Sequence, residues 1–369
     1  MTGDLIAVLG GGQLGRMIGL AGLPLGVEFR FLDPAAQPPA QVAGPTITAP
    51  LDDLAAVDRL VDGARVCTYE WEGVPAATAE HVAQSVPVFP DARALEVASD
   101  RIAEKTLLRD LGIGVAPFAP VDDDASLQTA VTEIGLPAVL KTRRGGYDGK
   151  GQVVLQSPAD VDRAFDAIGG VPAILEGFVP FEREVSVIAV RGRDGDVRVW
   201  PLVENVHRNG ILRESVAPAP NRGALQSQAE AHITKLLDTL AYVGVITLEC
   251  FVLDGELLGN EIAPRVHNSG HWTIEGAVTS QFENHVRAIA GIPLGATHAR
   301  GMSVMFNAIG ALPDRDAVLA IPGAHFHDYG KEPRHARKVG HITVTADERV
   351  ALDAACSAVR TLIAASEDG

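Results

Sequence analysis

Glu249 and the pair Asn260-Glu261 stand on either side of Asp254-Gly255, a dipeptide that favours a two-residue hairpin turn. Residues 245–253 and 256–263 read as the two strands of that hairpin. With a strict two-residue turn, Glu249 faces Asn260 and Glu261 points to the other sheet face. One extra residue in the second strand, with Gly259 as the natural bulge position, brings Glu249 and Glu261 together. Two carboxylates ~4 Å apart repel by ~4 kcal/mol at an effective dielectric near 20, so such a pair persists only around a cation or a proton. Two carboxylates together with phosphate oxygens suit Mg²⁺. The plainer reading is two charges on opposite faces of the hairpin.

A second segment of chemical interest runs from Lys141 through Arg143, Arg144, Gly145, Gly146, Tyr147, Asp148, Gly149, Lys150 and Gly151 to Gln152. A lysine ends a strand, and a basic, glycine-rich loop turns back into another strand. Such a loop can fold over a triphosphate with amides and cations facing it. It is not a P-loop, because no Gly-Lys-Ser/Thr enters a helix. The competing reading is a solvated hairpin tip. Directly after the carboxylate hairpin comes a dense polar run, Arg265-Val266-His267-Asn268-Ser269-Gly270-His271. Its arginine and asparagine are suited to phosphate or carboxylate groups, and its histidines to acid–base or donor roles. Lys331, Arg334, Arg337 and Lys338 make a basic cluster further on. Near the start, Gly10-x-Gly12-x-x-Gly15 follows a strand and opens a helix, and Asp33 ends the next strand. That pattern fits a dinucleotide site, a plain tight turn, or a phosphorylated substrate docked on the helix N-terminus.

The elements that position these residues are legible from patterning. Residues 5–9, 27–32, 66–69 and 86–89 read as strands alternating with helices, which indicates a parallel sheet over roughly residues 1–100. A helix is expected over 100–111, with Asp100 as cap and Gly112 as stop. Strands at 137–141, 153–155 and 173–176, with a helix opened by Ser157, make a small α+β unit. Further on, 185–190 and 197–203 read as a hairpin, 226–240 and 276–290 as helices. The last seventy residues carry short strands and a terminal helix, expected to form a small separate domain.

With 369 residues and 47% hydrophobic content, the chain is long enough for two or three domains. Its net charge of −16 argues against nucleic acid and anionic membrane as partners. Cys67, Cys250 and Cys356 lack metal-ligand spacing and read as reduced thiols of a cytoplasmic protein. No leader segment or membrane span is expected.

These motifs, in this order, resemble the ATP-grasp superfamily and, within it, the 5-(carboxyamino)imidazole ribonucleotide synthase family. The resemblance rests on residues 10–17, Thr68-Tyr69-Glu70, residues 144–152, residues 207–212, the run from Asn260 to Thr273, and residues 337–341. It implies an α/β and α+β fold, with a Rossmann-like N-terminal domain (1–100), an ATP-grasp lid (101–180), a large ATP-grasp domain with the metal site (181–298) and a C-terminal domain (299–369). It further implies that Arg101, Lys141, the loop Gly146, Tyr147, Asp148, Gly149, Lys150, Gly151 and Gln152, together with Glu176, Gly177, Phe178, Val179, Glu184, His207, Asn260 and Glu261, hold ATP. Glu249 and Glu261 would bind Mg²⁺ or Mn²⁺. Gln13, Leu14, Glu70, Tyr147, Arg265, His267, Asn268, Lys331 and Arg337 would surround 5-aminoimidazole ribonucleotide, with Asp148, His267 and Lys331 catalytic. Bicarbonate would be the second substrate and a homodimer the assembly. Gly73 departs from the family pattern, which has asparagine there. The rivals are another ATP-grasp ligase, such as formate-dependent glycinamide ribonucleotide transformylase, a nicotinamide-dependent dehydrogenase built on the glycine turn, and an inactive nucleotide-binding regulator.

Overall fold

The computed structural model describes residues 4–146 and 150–367. Strands β1 (Asp4–Leu9), β2 (Val27–Asp33), β3 (Thr46–Thr48) and β4 (Val66–Tyr69) form a parallel sheet in the order β3-β2-β1-β4. β4 is buried along its whole length and β1 over its last four residues, as expected for parallel strands covered by helices on both faces. The expected strand at 86–89 is instead a single bridge between Val88 and Cys67. Pro87 and Pro90 flank it and have no N–H to extend the ladder.

A second, antiparallel sheet is built from β5 (Phe118–Val121), β6 (Ala138–Thr142), β7 (Gln152–Leu155) and β8 (Ala173–Gly177), in the order β5-β8-β6-β7. The helix Arg101–Asp110 leads into it. Asp100 caps that helix, accepting from the amides of Ile102 and Ala103. The same carboxylate pairs with Arg143 and Arg144 at 2.8 Å, so the cap also anchors the start of the glycine-rich loop.

The third sheet is the largest. It contains β9 (Arg183–Arg191), β10 (Val197–Val199), β11 (Val203–Arg208), β12 (Ile211–Ala217), β13 (Gly244–Leu253), β14 (Glu256–Ala263), β15 (Met302–Ile309), β16 (Ala324–Asp328) and β17 (Lys338–Ala346). The run 197–203, expected as one strand, is divided into β10 and β11 by Trp200-Pro201-Leu202; Pro201 cannot donate to a ladder. Strands β15 to β17 continue the same sheet through the β12–β15 pairing, so a division at 298/299 falls within one sheet rather than between two. The helix expected from residue 276 starts at Gln281: Gly276 closes a short turn, and Ser280 caps the helix by accepting from Glu283 N–H. The sheet packs on the helix Gly223–Thr239 through Leu225, Ile233, Leu236 and Leu237, all buried.

Candidate active site

The hairpin β13–β14 closes on Asp254-Gly255, both at positive φ, with Leu253 opposite Glu256. The register holds through Cys250 opposite Gly259 and then shifts, so that Glu249 lies opposite Glu261 and Asn260 is the additional residue. The bulge that pairs the two carboxylates is therefore present, at Asn260 rather than at the expected Gly259, which stays paired with Cys250. It is held from below by the helix Arg101–Asp110. Glu104 accepts from Ile262 N–H, and Lys105 Nζ donates to Gly259 O at 3.4 Å, gripping the strand on both sides of the bulge. Burial, then the neighbouring Glu261 charge, pushes Glu249 up to about 7, and burial raises Glu261 as well. A buried carboxylate pair whose protons are held this tightly is a fit for a divalent cation. Among the described residues no group of three or more His, Cys, Asp or Glu side chains could hold a metal ion. Two carboxylates with phosphate oxygens and water completing the shell match Mg²⁺ rather than a metal caged by protein.

The pair opens into a cavity of about 790 Å³ bounded by the two antiparallel sheets and by the segments that follow β1 and β4. On one side stand Arg101, Lys141, Lys150, Gln152, Glu176, Phe178, Glu184 and His207. Lys141 and the fully buried Lys105 both reach Glu176 Oε2, at 3.1 and 3.2 Å. Burial pushes the Glu176 carboxyl up, but the two lysines outweigh it and hold it below its usual range. Burial, helped by the Lys105 and Arg101 charges, brings Lys141 down against the pull of Glu176. Arg101 donates to the Thr142 and Gly146 carbonyls, tying the helix to the loop. His207 lies 3.1 Å from Glu184, whose hydrogen bond, with the Glu249 and Glu184 charges, overcomes burial and raises the imidazole.

The other side is lined by Gln13, Leu14, Glu70, Arg265, His267, Asn268, Lys331 and Arg337. His267 Nδ1 accepts from Ser269 N–H, so its neutral ring carries the proton on Nε2, which points at Glu249 Oε1, 3.0 Å away. Burial, then Arg265, keeps that ring neutral. Behind it a buried chain runs from Ser269 through Ser186 and Asn205 to Ser215. Asn268 makes a reciprocal amide pair with Asn307 of β15.

The glycine turn differs from its sequence reading. The Glu70 carboxylate accepts from Gly12 N–H at 3.0 Å and Gly15 N–H at 3.2 Å, and Asp33 accepts from Gly11 N–H at 2.8 Å. A Cβ on Gly10 or Gly12 would lie 2.8 Å from Glu70. The protein's own carboxylates thus fill the amides that a pyrophosphate would need, so the turn offers no open anion hole and a nicotinamide dinucleotide has no seat there. Glu70→Ala is expected to destabilise the fold by ~2 kcal/mol, the scale of losing charged hydrogen bonds to buried amides. Thermal melting checks this, and an unchanged melting temperature would return Glu70 to a purely ligand-binding role.

Gly146, Gly151, Gly177 and Val179 are not among the cavity walls; Gly177 instead donates its N–H to Pro117 O. Tyr147, Asp148 and Gly149 lie outside the described residues. Sequence reasoning missed Lys105, one helical turn beyond Arg101, and the wall residues Trp71 and Glu72; His271, from the polar run, also lines the cavity. Glu72 pairs with Arg265 at 3.0 Å.

A lysine–glutamate wall flanked by Lys150 and Gln152, facing a paired-carboxylate hairpin, is the site of an ATP-grasp ligase. The ATP-grasp domain family matches residues 106–282, the ribonucleotide synthetase preATP-grasp domain residues 4–99, and the phosphoribosylaminoimidazole carboxylase C-terminal domain residues 303–355. The chain is 53% identical to an N5-carboxyaminoimidazole ribonucleotide synthase of Pseudomonas aeruginosa, over 98% of this chain and 99% of that one. The structure of N5-carboxyaminoimidazole ribonucleotide synthetase from Thermus thermophilus superposes with a TM-score of 0.93 at 51% identity, covering 97% and 98% of the two chains. An Aspergillus clavatus synthase, solved with ADP and 5-aminoimidazole ribonucleotide, gives 0.91 at 32% identity, covering 98% and 99%. The chain belongs to the N5-carboxyaminoimidazole ribonucleotide synthase family.

Proposed function

We propose that the protein carboxylates 5-aminoimidazole ribonucleotide with bicarbonate at the expense of ATP, releasing ADP and phosphate. The observation that carries this reading is a shared cavity lined by the Glu249–Glu261 pair, by Arg101, Lys141 and Lys150, and by His267, Lys331 and Arg337. Lys141, Arg101 and His207 supply cations toward the triphosphate. Glu249 and Glu261 would hold Mg²⁺ or Mn²⁺, which when bound neutralises charge on the phosphoryl group passing to bicarbonate. Carboxyphosphate formed in this way yields CO₂ beside the ring amine.

His267 already donates from Nε2 to Glu249 and accepts at Nδ1, so it has no free lone pair and acts as an orienting donor rather than a base. Lys331, with Arg337 beside it, serves as the cation facing the anionic groups of the ribonucleotide. The formyl-transfer rival finds no counterpart among the relatives described above. A homodimer in the cytoplasm is proposed from the family resemblance. Among the described residues no helix is long and apolar enough to cross a membrane.

A coupled ADP-release assay tests the reading. ADP formation is expected to require Mg²⁺ or Mn²⁺, 5-aminoimidazole ribonucleotide and bicarbonate together. Turnover with glycinamide ribonucleotide and formate instead would replace it.

A further inference from the structure

Of the protein's three tryptophans, Trp200 and Trp272 are fully buried, whereas Trp71 is 54% exposed on the cavity wall. Its place in the fold is fixed on both sides. Glu70 is bound to the glycine turn, Glu72 is paired with Arg265, and the Trp71 carbonyl accepts from Val74 N–H. The indole lies against the backbone of Gly73: a Cβ there would meet its Cζ2, Cε2 and Cη2 atoms at 2.4 to 2.7 Å. Gly73 does not adopt a left-handed φ, so the turn itself has no need of glycine. What the missing side chain provides is room for the ring. A large, half-exposed aromatic plane that lies against Gly73 at a cavity wall is a surface on which a flat heteroaromatic ring can stack.

We propose that Trp71 is a specificity-determining residue, a platform for the imidazole ring of the ribonucleotide, and that Gly73 sets the angle of that platform. This rests on the reading of the site given above. The chain neighbours of Trp71, Glu70 and Glu72, are held by the glycine turn and by Arg265, which belong to the wall that also carries Gln13 and Lys331.

Two readouts test it in the full-length protein. Trp71→Ala is expected to raise KM for 5-aminoimidazole ribonucleotide about 10-fold, the scale of one aromatic–base stack, with kcat within about 3-fold and KM for ATP unchanged. Trp71→Phe keeps a plane and should stay within about 3-fold of wild type. Gly73→Ala displaces the indole and should behave like Trp71→Ala. In wild type, acrylamide quenching reports chiefly on Trp71. Saturating 5-aminoimidazole ribonucleotide should shield it, ribose 5-phosphate should shield it much less, and a non-hydrolysable ATP analogue should not. Shielding by the ATP analogue alone, or an unchanged ribonucleotide KM in Trp71→Ala and Gly73→Ala, would overturn the platform while wild-type turnover leaves the site reading intact. If wild type shows no ribonucleotide- and bicarbonate-dependent ADP release, both fall.

Discussion

Glu261→Gln is expected to lose about 10²- to 10³-fold in kcat, the scale of removing one preorganised electrostatic contact from a charge-stabilised transition state. The substitution keeps shape and takes away one charge. Glu249 remains, so a divalent cation still has one carboxylate, and the variant should need more Mg²⁺ for half-maximal rate. Stability should move the other way. Glu249 is driven up to about 7 partly by the Glu261 charge, so in the absence of metal the wild-type pair is a source of strain. Removing one member should leave the metal-free melting temperature equal to or above that of wild type. Activity lost while stability is kept or gained is the signature of residues retained for function at a cost to the fold. ADP release across a Mg²⁺ titration, with melting curves in EDTA, checks both. Near-wild-type kcat would remove Glu261 from the metal site.

The hairpin that carries this pair was legible because its instructions are local. Asp254-Gly255 specifies the turn, and alternation specifies the strands. Only the position of the bulge needed the fold: Asn260 is the extra residue because Glu104 and Lys105 grip the strand around it. The Asp100 cap was legible for the same reason, but its second duty toward Arg143 and Arg144 was not. The partner of the glycine turn was also invisible, since Glu70 arrives from 55 to 58 residues away and fills amides that a local motif leaves open. Equally hidden was the continuation of the large sheet into the C-terminal strands. Val216 pairs with Val304, and no local pattern announces a pairing of that separation. Nothing local marks Lys105 as different from a lysine on any other helix. Its burial follows from the Glu176 carboxylate waiting on β8, in a different sheet.

Lys331 gives the second large effect, and its sign is informative. Burial, then the Arg337 charge, lowers its ammonium from the usual lysine range to about 8, and its Nζ donates to Gln13 Oε1 across the cavity. A lysine at that value is suited either to hold an anion while protonated or to take a proton while neutral. The two roles predict opposite pH limbs. A cation is fully present below about 8 and is lost above it, so kcat/KM for the ribonucleotide should be level up to that point and then fall about tenfold per pH unit. A base would make kcat/KM rise through the same value. The surroundings select the first: Arg337, Lys338 and Arg334 press on the Lys331 ammonium against the opposing charge of Glu70, a net gathering of positive charge that recognises an anion. Lys331→Ala should therefore lower kcat/KM for the ribonucleotide about 100-fold, the scale of a buried hydrogen bond to a charged group, with affinity for an ATP analogue little changed. Lys331→Arg is the sharper variant. Its guanidinium stays charged throughout, so the falling limb near pH 8 should vanish even if the different shape of the group lowers the plateau. The measurement is kcat/KM from pH 6 to about 10 for wild type and Lys331→Arg, because that ratio reports groups of the free enzyme. A limb that persists unchanged in Lys331→Arg assigns the titration to another residue, and a rising wild-type limb would make Lys331 the base.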